Sequence, residues 1–122
     1  MKKILVVEDD FDIGEIVEML LSSKYDVLLK QDSKQLLDTI KHFKPQLIIM
    51  DNFIGQKNAK EMLEEINADG FSLNVPVILF TGHPDIKEIA IEIGAADFLA
   101  KPFDLYDFEN CINRVLTAQR KH

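Results

Sequence analysis

Apolar runs of strand length alternate along this chain with segments whose apolar residues recur at helical spacing. The runs are Ile4–Val7, Val27–Leu29, Leu47–Met50, Val77–Phe80 and Phe98–Ala100. After the first, Ile13, Ile16, Val17 and Leu20 stand at i, i+3, i+4 and i+7, one face of a helix. Asp12 followed by Glu15 predicts its N-cap pair. Leu36, Leu37, Ile40 and Phe43 predict a second helix, stopped by Pro45. Met62, Leu63 and Ile66 predict a third, closed by Asp69-Gly70. Ile86, Ile89, Ala90 and Ile93 predict a fourth, with Pro84 in its first turn and Gly94 at its C-terminus. Leu105, Phe108, Ile112, Val115 and Leu116 predict a fifth, N-capped by Asp104.

Strict alternation of β and α elements predicts a parallel sheet with helices on both faces. Strands buried on both sides lose their polar alternation, as these runs do. No linker, repeat or low-complexity tract interrupts the pattern, and the one irregular stretch is the polar segment from Asn67 to Val75. The reading is one domain over 1–122, long enough to bury a core without disulfides or metals as staples.

Composition narrows the class. Hydrophobic residues at 47% and charged residues at 29% are those of a globular chain. The single cysteine, Cys111, has no internal partner and reads as a small apolar residue on the last helix. No segment approaches bilayer-spanning length, and the apolar run after Met1-Lys2-Lys3 stops at acids after four residues, so a cytoplasmic protein is expected. A net charge of −7 argues against nucleic-acid binding, which needs a basic surface. The basic end Arg120-Lys121-His122 reads as a solvated terminus.

Charge becomes informative where it is concentrated. Ile4-Leu5-Val6-Val7 runs straight into Glu8, Asp9 and Asp10. Two carboxylates ~4 Å apart repel by roughly 4 kcal/mol at an effective dielectric of about 20, so such a cluster calls for a cation. In open parallel sheets ligands bind beyond the carboxyl ends of the strands. There, after the third run, stands Asp51; after the fourth, Thr81 and Gly82; after the fifth, Lys101 and Pro102. Each has a plain reading as a cap, loop acid, turn residue or surface charge. Their joint placement brings acids, a hydroxyl and an amine to one edge. A hard divalent cation such as Mg²⁺ takes carboxylate, carbonyl and water oxygens. An ammonium and a hydroxyl beside it can cradle a phosphoryl group, and a carboxylate can serve as the nucleophile.

With VVEDD at Glu8-Asp9, LIIMD at Asp51, ILFTG at Thr81 and AKPF at Lys101, the chain resembles the receiver domain of bacterial two-component response regulators from Ile4 to about Leu116. The resemblance implies a flavodoxin-like (βα)5 doubly wound parallel sheet in the order 2-1-3-4-5. It implies a phosphoacceptor switch and not an enzyme, with self-phosphorylation from small donors and slow autodephosphorylation. Asp51 would be the phosphoacceptor. Asp9 and Asp51 would bind Mg²⁺ directly, Glu8 through water, and the backbone carbonyl of Phe53 would complete the protein ligands. Lys101 would pair with the phosphoryl oxygens, with a cis bond to Pro102, and Thr81 would move to hydrogen-bond the phosphoryl group. Phe98 would move inward with Thr81.

The implied partner is a sensor histidine kinase or a histidine phosphotransfer protein. The face of the fourth helix, fifth strand and fifth helix is the expected partner or homodimer surface. Phe98, Phe103 and Tyr106 fall there, although Phe103 and Tyr106 also read as ordinary core or rim aromatics. Receivers often carry Met-Pro after the acceptor, where this chain has Phe53-Ile54-Gly55, and an Asp-Gly or Ser-Gly pair where it has Asn58-Ala59. Gly55 in place of a stiffening proline suggests a more mobile loop. Bulky Phe53, two residues after the acceptor, is expected to hinder a hydrolytic water. His83, two after Thr81, either holds water or begins the fourth helix. The alternative function is a pseudo-receiver, a phosphorylation-independent interaction module, which loss of an acidic, acceptor or lysine position would favour. A haloacid-dehalogenase-like phosphatase needs a second aspartate where Phe53 stands. A dinucleotide site needs glycines where the first βα turn is acidic.

Overall fold

Side-chain alternation along the apolar runs decides which helix each strand residue meets. In the computed structural model, which describes residues 1–119, the main strands are β1 (Lys3–Val7), β2 (Asp26–Lys30), β3 (Leu47–Met50), β6 (Val77–Thr81) and β7 (Asp97–Ala100). A short antiparallel hairpin, β4 (Phe53–Ile54) with β5 (Lys57–Asn58), follows β3. The helices are α1 (Phe11–Leu21), α2 (Leu36–Phe43), α3 (Ala59–Ile66), α4 (Ile86–Ile93) and α5 (Leu105–Gln119), with a 3-10 turn at Ala68–Gly70. The basic end Arg120-Lys121-His122 lies outside the described residues.

All five main strands pair in parallel in the order β2-β1-β3-β6-β7, which is the expected 2-1-3-4-5 once the hairpin is set aside. Leu5 and Val7 of β1, Ile48 and Met50 of β3, and Val77 and Leu79 of β6 face one layer, closed by α2, α3 and α4. Ile4, Val6, Leu47, Ile49, Ile78 and Phe80 face the other, closed by α1 and α5. Each strand residue is thus buried on its own side, and cutting one such side chain back to Ala costs about 2–5 kcal/mol. The two edge strands are the exceptions: Asp26 and Leu28 of β2, and Phe98 and Ala100 of β7, are exposed between half-buried neighbours. Cys111 is buried in the α1–α5 layer, where burial and then the nearby Asp97 carboxylate push its thiol up to about 12. Among the described residues no helix is long and apolar enough to cross a membrane.

Helix ends follow local chemistry, with corrections. The N-cap of α1 is Asp10 and not Asp12: Asp10 has extended φ/ψ, and its Oδ1 accepts the Ile13 N–H at 3.0 Å. The helix starts at once after β1, so Asp12 already lies in its first turn, where its charge complements the helix dipole. Lys44 ends α2 in the left-handed region (φ 56), since the residue before Pro45 is barred from continuing the helix. Ile66 ends α3, earlier than Asp69-Gly70, because Asn67 caps it with an Nδ2–H donated to the Leu63 carbonyl at 2.9 Å. Pro84 sits just ahead of α4 rather than inside it, and Gly94 closes that helix at φ 70. His83 helps begin it, its Nδ1 accepting the Asp85 N–H at 3.0 Å. Asp104 caps α5 as expected, accepting the Asp107 N–H at 2.7 Å.

Candidate functional site

The sheet ladder continues one residue past three of its strands, and those residues carry the chemistry. Glu8 follows β1 and donates its N–H to the Lys30 carbonyl at 3.0 Å. Asp51 follows β3 and donates to the Val7 carbonyl at 3.2 Å; Lys101 follows β7 and donates to the Thr81 carbonyl at 3.0 Å. Thr81 is the last residue of β6 and is buried. Backbone pairing therefore sets three side chains from different strands at one edge.

There Lys101 Nζ donates to Glu8 Oε1 at 2.6 Å and to Asp51 Oδ2 at 2.8 Å. Its ammonium also stands over the Phe80 ring, 4.6 Å from the centroid. The Lys101–Pro102 bond is cis, as the resemblance implied. Asp51 Oδ1 accepts the N–H of Asn52 at 2.6 Å. Asp9 Oδ2 accepts the N–H of Gly55 at 2.8 Å. The three consecutive acids thus divide: Glu8 is buried, Asp9 faces the hairpin, and Asp10 caps α1.

Burial drives the Glu8 carboxyl up to about 7; the Lys101 ammonium opposes this, and neighbouring Asp51 reinforces it. Asp51 is also pushed upward by burial, but hydrogen bonds from Lys101 and then Glu8 outweigh that, with a smaller help from the Thr81 hydroxyl. Its carboxyl ends below the usual range. Lys101 loses stability as a cation through burial, yet its bonds to Asp51 and Glu8 hold its pKa above the ordinary value. The result is an ionised Asp51 carboxylate beside the Lys101 ammonium and the buried Thr81 hydroxyl.

Among the described residues one buried side-chain polar atom is left over. Glu8 Oε2 has no hydrogen-bond partner, a costly state for a carboxylate oxygen shut away from bulk water. Oxygens of Glu8, Asp9 and Asp51 lie within 4.8 Å of one another. An all-oxygen, carboxylate-rich set with an unsatisfied member suits a hard divalent cation that keeps some of its waters. The residues present fit an Mg²⁺ ion.

The structure brings Glu8, Asp9, Asp51, Thr81 and Lys101 to this edge. Phe53 lies on β4 and is 51% exposed. Phe98 lies on β7 opposite Leu79 and is 37% exposed. Tyr106 is exposed, whereas Phe103 is half-buried. It packs into the α1–α5 layer, tilted against Phe80 and Phe108 at centroid distances of 5.7 and 5.0 Å. Sequence reasoning missed the N–H contributions of Asn52 and Gly55. A glycine in a short polar loop was the available signal for the second; nothing in the residue type announced the first.

The model of the response regulator receiver domain matches residues 4–113. The transcriptional regulatory protein CrdR of Helicobacter pylori is 33% identical over 116 residues, covering 93% of this chain and 54% of its own length. The non-phosphorylated HemR receiver domain of Leptospira biflexa superposes with a TM-score of 0.79 at 27% identity, covering 94% of both chains. NtrX of Brucella abortus superposes with a TM-score of 0.84 at 28% identity, covering 98% of this chain and 28% of that one. The chain spans about half the length of the first relatives it matches, 48%, 54% and 46% of three of them. With five parallel strands in the receiver order and Glu8, Asp9, Asp51, Thr81 and Lys101 at one edge, the chain belongs to the response regulator receiver domain family.

Proposed function

We propose that this receiver domain, spanning the whole chain, is an Mg²⁺-dependent phosphoacceptor switch that takes a phosphoryl group onto Asp51 from a phosphohistidine. The donor class is the histidine kinase that a response regulator implies, or a histidine phosphotransfer protein. The observation that carries the reading is the Lys101 ammonium bridging Glu8 and Asp51, with Glu8 Oε2 left unpartnered beside it.

Transfer forms a bond from an Asp51 carboxylate oxygen to phosphorus as the donor's N–P bond breaks, leaving a neutral imidazole once a proton is supplied to it. Lys101 already contacts Asp51 and would pair with a phosphoryl oxygen. The Thr81 hydroxyl would move to hydrogen-bond another. Glu8, Asp9 and Asp51, with the Phe53 carbonyl, would hold Mg²⁺, which when bound offsets charge on the transferring group. Asp51 stays ionised because Lys101 holds its pKa down, so it is ready as a nucleophile. The output surface is the α4–β7–α5 face with Phe98 and Tyr106, as partner or homodimer contact. The acidic net charge of −7 supports a domain that does not itself hold nucleic acid.

Intact mass after incubation with acetyl phosphate and Mg²⁺ tests this. One phosphoryl group is expected, absent in Asp51→Asn and in EDTA. No gain with a cognate kinase as well would favour the interaction-module alternative; gain that survives in Asp51→Asn would name a different nucleophile. Phe53, exposed on the hairpin, is expected to slow hydrolysis of the acyl phosphate, so Phe53→Asn should shorten its lifetime.

A further inference from the structure

Of the three carboxylates, Asp9 is the exposed one, in the short link between β1 and α1. An exposed aspartate would ordinarily sample several rotamers. Among the described residues its side chain makes one hydrogen bond, to the N–H of Gly55, 46 positions away. That bond engages Oδ2 and leaves Oδ1 free. We propose that Gly55 is a positioning residue for the metal site, its backbone N–H holding the Asp9 carboxylate in the orientation that shares an Mg²⁺ ion with Glu8 and Asp51. The inference rests on the metal-dependent reading above.

The N–H reaches Asp9 because of where the hairpin puts it. Phe53 pairs with Asn58 and Ile54 with Lys57, so Gly55 and Gln56 form a two-residue turn. Gly55 has φ +63, the left-handed conformation such a turn demands of its first central residue. Both ends of the hairpin are anchored. Ile54 is buried against the α2–α3–α4 layer, and Asn58 caps α3 by accepting the Glu61 N–H at 2.8 Å. The turn therefore presents its N–H toward Asp9 from an anchored hairpin. An Asp9 ordered before the ion arrives gives up less freedom on binding it.

A Cβ at position 55 would meet nothing within 4 Å, so tolerance there is a matter of φ and not of space. Asn accepts positive φ, Val resists it, and Pro excludes it and lacks the N–H. Mg²⁺ affinity should follow that ranking. Gly55→Asn should stay within about twofold of wild type, Gly55→Val should fall between, and Gly55→Pro should bind about tenfold more weakly, the worth of one hydrogen bond to a charged group.

Two measurements test this: calorimetric Mg²⁺ titration of the four proteins, and amide hydrogen exchange of Gly55 by NMR in metal-free wild type and Asp9→Ala. The second leaves position 55 intact and so survives misfolding of the proline variant. Protection of the Gly55 amide in wild type, lost in Asp9→Ala, together with the affinity ranking supports the proposal. A turn glycine with only a structural role would lower the unfolding temperature of the Val and Pro variants at unchanged Mg²⁺ affinity, and that result overturns it. So does a Gly55 amide that exchanges equally in wild type and Asp9→Ala. Wild type that binds no Mg²⁺ overturns this proposal and the metal-dependent reading together, whereas equal binding by wild type and Gly55→Pro overturns this one alone.

Discussion

At the start of β7, Asp97 pairs with Arg114 of α5 at 3.1 Å; just past its end, Lys101 pairs with Glu8 and Asp51 at 2.6 and 2.8 Å. By distance the two ion pairs are alike. They differ in water: the Arg114 side chain is 63% exposed, that of Lys101 18% and that of Glu8 0%. Solvent screens the first pair whether or not it forms, so its charges stabilise little. The second cannot be relaxed by solvent, and removing any member leaves an uncompensated buried charge or forces a proton to move. Burial leaves a cation–carboxylate contact unscreened at one end of the strand, while water screens the one at the other.

Lys101→Met should break this contrast most severely. It removes the cation that bridges two carboxylates, so Glu8 should hold its proton still more tightly. Phosphorylation of Asp51 by acetyl phosphate, followed by intact mass, should slow by about 10²-fold or more, the scale of losing a preorganised charge. A rate near that of wild type would mean that the buried trio is only structural.

Glu8→Gln comes next and should appear as a change in pH dependence. The folded-state carboxyl lies near 7 against an ordinary 4.5, so between those values the folded chain binds more protons than the unfolded one. Stability from this group is therefore present below about 4.5 and declines as pH rises to about 7, by about 3 kcal/mol at most. Asp51, with its pKa lowered, adds stability that is lost only as pH falls through its folded value. Lys101, with its pKa raised, adds stability lost only as pH climbs past the ordinary lysine range. Neither opposes Glu8 between pH 5 and 7. Metal-free wild type should thus melt lower at pH 8 than at pH 5, and Glu8→Gln should flatten that slope. Millimolar Mg²⁺ should raise the melting temperature of wild type far more than that of Glu8→Gln. A slope that survives the substitution would place the titrating group elsewhere.

The smallest effect belongs to Asp97→Asn. Phosphorylation rate and melting temperature should both stay close to wild type, since water already solvates Arg114. A loss comparable to that of Lys101→Met would show that exposure is not what separates the two ends of β7.

Much of this was readable from residue order. Apolar runs of three or four residues flanked by helical periods point to parallel strands covered on both faces, an arrangement that buries Ile4–Val7, Leu47–Met50 and Val77–Phe80. Acids after β1 and β3, a threonine ending β6 and a lysine after β7 then share an edge by topology alone. Shorter features escaped. Strands of two residues, Phe53–Ile54 and Lys57–Asn58, carry too little periodicity to read, although Asn58 with Glu61 is a capping-box pair that marks the start of α3. In the acid run, the caps of α1 could be assigned only with the helix start known, since Asp10 and Asp12 are chemically equivalent candidates.

By itself, the sequence determined the alternation of elements, the strand edge on which charge collects, and the residue types gathered there, all of which depend on local periodicity and on chain order. Tertiary structure alone decided that Glu8 is buried while Asp9 is not, that Phe103 turns into the core, and that the Gly55 N–H meets a carboxylate 46 positions away. Burial and long-range hydrogen bonds depend on what packs across a site from distant parts of the chain, and no local pattern records that.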